Sequence, residues 1–136
     1  MNNRDRANAF GPLNFMPIAS VISSVYYAIR LLRHREQFDV HHGMSLIAEG
    51  VPSEPTGDDR RTALLIVRRI EELEDVPFHR LSKDAADDYI ALLSDIVLNR
   101  VQEDFGVDPV RGEELLHELR AQATPHPPLV SENNAN

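Results

Sequence analysis

Four stretches of the chain place apolar residues three and four positions apart, the spacing that lines one face of a helix. In the first, Ile18, Val21, Ile22, Val25, Ile29 and Leu32 form a stripe that Tyr26, Tyr27 and Leu31 widen. Pro17 fits a first helical turn, where its missing N–H has no helical partner to lose. Arg30, Arg33, His34 and Arg35 crowd the far end, where the helix dipole favours cations. The second stretch starts near Asp58, with Thr56 or Asp58 as cap, and carries Ala63, Ile66, Val67, Ile70 and Leu73, broadened by Leu64 and Leu65. Val76-Pro77 ends it, because the residue before a proline avoids the helical region.

The third stretch has the clearest boundaries. Ser82 is a cap, Asp84, Asp87 and Asp88 lie near the positive end of the dipole, and Gly106 is a left-handed stop. Its stripe is Ala86, Tyr89, Ile90, Leu93, Ile96, Val97 and Val101. Asp108-Pro109 then restarts the chain as cap plus first-turn proline. A short fourth helix follows, with Val110, Leu115, Leu116 and Leu119 on one side, ended by Thr124-Pro125.

This pattern predicts an all-α fold, a small helical bundle of three longer helices and one short helix, over residues 10–124. Residues 1–9 are expected to form a flexible N-terminus. The segment 39–57, punctuated by Gly43, Gly50, Pro52, Pro55 and Gly57, reads as a long connector, and 125–136 as a disordered tail. The length of 136 residues allows one domain.

Composition narrows the functions. The chain has no cysteine, which removes disulfide scaffolds and thiolate metal sites. A formal net charge of -8 argues against direct binding of nucleic-acid phosphate. The charge is also uneven. Residues 1–35 hold Arg4, Arg6, Arg30, Arg33 and Arg35 against Asp5 alone, whereas 71–118 hold an excess of acids over Arg80, Lys83, Arg100 and Arg111. Such ends attract each other within a chain or head to tail between chains. The uncharged run from Ala7 to Ile29 has the length of a membrane span, but Gly11, Pro12, Asn14, Pro17 and three serines dilute it. A cytoplasmic protein is therefore expected.

Candidate chemistry is thin. His41-His42, with Asp39, Glu36 or His34, is the one arrangement that resembles a metal site, and it matches no closed ligand motif. No Gly-x-Ser-x-Gly elbow, Gly-x-Gly-x-x-Gly turn or phosphate-binding loop is present. The paired acids, Glu71-Glu72 and Glu103-Asp104 among them, read as solvated helix flanks. Arg60-Arg61 and Arg68-Arg69 could meet phosphate or pair with neighbouring acids.

The strongest positive signal is the first helix. Tyr26 and Tyr27, with Phe10, Phe15 and Met16 upstream, exceed what one core stripe needs, and a wide apolar surface marks a partner site. The expectation is a non-catalytic interaction or assembly protein with no cofactor and no metal, which binds another protein or itself as a homo-oligomer. The expected contact residues are Phe15, Val21, Val25, Tyr26, Tyr27, Ile29, Arg30 and Arg33, with Asp95, Glu103 and Asp104 on an acidic face. The layout is analogous to the small accessory or inhibitory proteins of viruses and mobile elements. Four rival readings stand beside it: the first helix as the buried centre of the bundle, residues 7–29 as a membrane segment, an acidic nucleic-acid mimic, and a metal-dependent enzyme using His41 and His42.

Overall fold

The computed structural model describes residues 9–37 and 57–122. They form a bundle of four helices: α1 (Ile18–Arg33), α2 (Gly57–Glu74), α3 (Lys83–Phe105) and α4 (Pro109–Gln122). Among the described residues there is no strand. Three short 3-10 turns, Gly11–Phe15, Arg35–Gln37 and Phe78–Arg80, lie between or beside the helices.

The local signals act where the sequence places them. The Ser82 hydroxyl accepts from the Ala85 N–H at 3.1 Å. Gly106 closes α3 with φ 63°, a left-handed backbone that costs a residue without a Cβ little. The Asp108 carboxylate accepts from the Arg111 N–H at 2.8 Å and starts α4. The end of α2 differs from expectation. The helix stops at Glu74, two residues before Val76, and Asp75 takes φ 56°. The Glu71 carboxylate then accepts from the Phe78 N–H at 2.7 Å. Glu71 is thus no solvated flank: it holds the turn that sinks Phe78 into the core.

Two arginines fix the relative direction of α1 and α3. At the end of α1, Arg35 donates to the Leu81 carbonyl just before α3, at 2.6 Å. At the other end, Arg100 of α3 donates to the carbonyls of Leu13 and Asn14, at 3.3 and 3.4 Å. The two helices therefore run antiparallel. The Asn99-to-Asp104 turn is also braced internally, because Arg100 pairs with Asp104 at 3.1 Å.

The core has one centre. α1 is buried almost all round, through Val21, Ile22, Val25, Tyr27, Ala28, Ile29, Leu31 and Leu32. α2 adds Ala63, Leu64, Ile66, Val67 and Ile70, and α3 adds Ala86, Tyr89, Leu93, Val97 and Val101 on a single stripe. The Tyr89 hydroxyl donates to Glu74 at 2.6 Å, which satisfies the polar tip of a buried ring. Phe10 meets the Tyr89 ring edge-on, with centroids 6.3 Å apart. α4 packs mainly on α3 and buries Leu116 and Gly112. A Cβ at Gly112 would come within 2.9 Å of the Gln102 side chain, so the glycine sets how closely these two helices approach.

Candidate functional site

The burial of α1 corrects the expected partner surface. Val21, Val25, Tyr27 and Ile29 are core residues packed against α2 and α3, and they offer nothing to a partner of the folded chain. The apolar excess of this helix is explained by its position, with other helices covering most of its circumference. Val110, expected on the inner side of α4, is instead 70% exposed.

The other expected contacts divide between separate places. Arg30 is half-buried and sets its guanidinium over the Tyr27 ring at 5.8 Å. Arg33 is exposed. Asp104 is held by Arg100, while Glu103 stands exposed beside it. Tyr26 and Asp95 come together in a cleft of mixed polarity, about 260 Å³, whose other walls are Ser94, Leu98, Glu113, Leu116, His117 and Arg120. Arg120 lies over the Tyr26 ring at 3.7 Å, a cation–π contact that ties α4 to α1. Burial raises the Tyr26 phenol above its ordinary pKa of 10.0, and the Arg120 guanidinium opposes that shift. Asp95, Glu113 and His117 line one cleft, yet no group of three or more such side chains among the described residues converges as metal ligands do. His41 and His42 lie outside the described residues.

The apolar surface that α1 does not present lies beside it. Phe15 is 91% exposed at the end of its 3-10 turn, and Leu65 is 49% exposed on α2. Between the N-terminal segment and α2 runs a groove of about 310 Å³, lined by Ala9, Phe10, Pro12, Leu13, Met16, Thr62, Leu65, Ile66 and Arg69. It exists because Gly11–Phe15 lies across the bundle, where its Phe10 and Leu13 side chains reach the core and its outer edge stays open. The surplus of Phe10, Phe15 and Met16 signals this surface in the sequence. Leu65 does not, because its register differs from that of the α2 stripe by a single position.

A second apolar spot sits on the α3–α4 turn, where Phe105 is 47% exposed along with Val110. Acids and arginines flank it in sequence: Glu103, Asp108 and Glu113, with Asp104 paired to Arg100 and Glu114 to Arg111. Among the described residues, no helix is long and apolar enough to cross a membrane. Comparison with protein-family models, with curated proteins and with solved structures finds no match to this chain.

Proposed function

We propose that this chain is a non-catalytic interaction protein whose contact surface is the groove between the N-terminal segment and α2. The observation that carries the reading is the pairing of that open apolar groove with the exposed Phe15 and Leu65 beside it. Large apolar side chains left in water on a small folded domain mark a site that a partner covers. One arginine, Arg69, lines the groove, and it pairs with Glu72 at 3.1 Å. The matching partner segment is therefore centred on an apolar side chain, because the groove wall is apolar except for Thr62 and Arg69.

The absence of cysteine supplies the test. A single Leu65→Cys can carry a photo-crosslinker, with Ala91→Cys on the exposed face of α3 as control. In extracts of the native source, the label at position 65 should give discrete adducts with one protein sequence, and Arg69→Glu should suppress them. Equal adducts at both positions, or adducts indifferent to Arg69→Glu, would count against the groove.

A second reading has one observation in its favour. Asp95, Glu103 and Glu113 are exposed and make no ion pair among the described residues, so α3 and α4 present free carboxylates, as a nucleic-acid mimic would. Opposing it, Lys83, Arg100 and Arg111 neutralise other acids on the same helices. A label at Glu103→Cys that captures the partner while position 65 does not, with binding that collapses as salt rises, would favour the mimic.

A further inference from the structure

The cleft between α1, α3 and α4 takes no part in the groove, and we infer that it binds a small zwitterion of dipeptide size, with the carboxylate on Arg120 and the ammonium between Asp95 and Glu113. The cleft holds charges of both signs that do not pair with one another. Asp95, Glu113 and Arg120 all line it, and none of the three makes an ion pair with a described residue, whereas Arg100 and Arg111 on the same two helices each hold an acid. Opposite charges that share a cleft yet stay apart keep hydrogen-bonding capacity for a molecule that carries both.

Arg120 is already aimed. Its guanidinium lies over the Tyr26 ring at 3.7 Å, a contact that engages the face of the group and leaves N–H donors along its edge. A planar fork held in one orientation suits a carboxylate, which can accept two parallel N–H bonds from it. Register sets the distance to the other pole. A Cβ at Gly112 of α4 would meet the side chains of Leu98 and Gln102 of α3, and α4 runs back along α3 from there, so His117 comes level with Asp95. A cation between Glu113 and Asp95 then lies near position 115, five residues short of Arg120, a rise of about 7.5 Å. Two extended residues span about 7 Å. Leu98 and Leu116 line the cleft along with the charged groups and give the body of the ligand apolar surface. The volume of about 260 Å³ lies just below the roughly 300–1,000 Å³ of sites for drug-sized ligands, which fits a molecule this small.

NMR titration of the full chain with alanyl-leucine, its amide and its N-acetyl form tests this. The dipeptide should shift the Tyr26 and Leu116 resonances with a dissociation constant of about 1 mM or below, and each form that lacks one charge should bind about tenfold more weakly. Two variants then separate the poles. Arg120→Gln should weaken the dipeptide and the acetylated form but not the amide; Asp95→Asn should weaken the dipeptide and the amide but not the acetylated form. A general loosening of α4 would weaken all three forms alike in both variants, and that pattern would overturn the inference. So would equal binding of the three forms to the wild type, or no shift with the dipeptide at tens of millimolar.

Discussion

The first and last helices are nearly equal in length, 16 and 14 residues, yet they hold opposite stations in the molecule. α1 is covered by α2 and α3 along most of its surface, and α4 touches it through Arg120 on Tyr26. α4 lies on the outside of α3, with Leu116 and Gly112 buried and its charged residues in solvent. The contrast shows that an apolar excess on a helix measures how many neighbours cover it. It marks an external surface only when cover is lacking, as it is at Phe15 and Leu65.

The largest expected effect separates the two helices by the same kind of truncation. Ile29→Ala empties a fully enclosed site in α1 and should cost about 2–5 kcal/mol, whereas Leu116→Ala in α4 should fall at or below the low end of that range, because solvent and neighbouring side chains can fill in at the rim. Thermal unfolding of both variants would break the comparison if the order were reversed.

A smaller effect of opposite sign is expected at Ser24. Its Oγ is buried in α1 and has no hydrogen-bond partner among the described residues. Ser24→Ala should therefore stabilise the chain by about 1 kcal/mol, since an unpaired buried hydroxyl carries a desolvation cost and alanine favours a helix. A loss of stability in chemical denaturation would mean that the hydroxyl serves a contact.

The smallest effect concerns the link between the two helices. Arg120→Ala should cost about 0.5–1 kcal/mol at neutral pH through the lost cation–π contact. Its clearer sign is in alkali. Burial holds the Tyr26 phenol above 10.0 in the folded chain, so the folded state keeps its proton longer than the unfolded state does. The associated stability is complete below about pH 10 and is lost as pH rises past it. Removing Arg120 removes a downward influence, so the Tyr26 pKa should climb further and the alkaline loss should steepen. Tyrosinate absorbance, with Tyr26→Phe to assign the transition, checks both directions.

Much of this architecture is legible from single residues. Ser82, Gly106 and Asp108-Pro109 mark boundaries because each supplies a hydrogen bond or a backbone angle that a helix end requires locally. The stripe on α3 reads directly because one face of that helix is buried. What local patterning leaves open is how many sides of α1 are covered, since periodicity says which residues share a face and not what lies opposite. The end of α2 is hidden for a related reason: Glu71 reaches seven residues forward to Phe78, and no neighbour in sequence announces it. The groove is harder still, because it forms between Phe10–Met16 and Thr62–Arg69, segments that only the fold brings together.

The central claim is that α1 is the core and the contact surface lies in the groove beside it. Circular dichroism on Val25→Asp and Leu65→Asp, run in parallel with partner capture by a photo-crosslinker at Thr62→Cys in the groove, tests it most directly. An aspartate at position 25 places a charge where no water reaches, so helicity should be lost at room temperature; at position 65 the same residue stays in solvent, so helicity should persist while partner capture fails. A Val25→Asp chain that keeps its helical spectrum and loses only its partner capture would contradict the account.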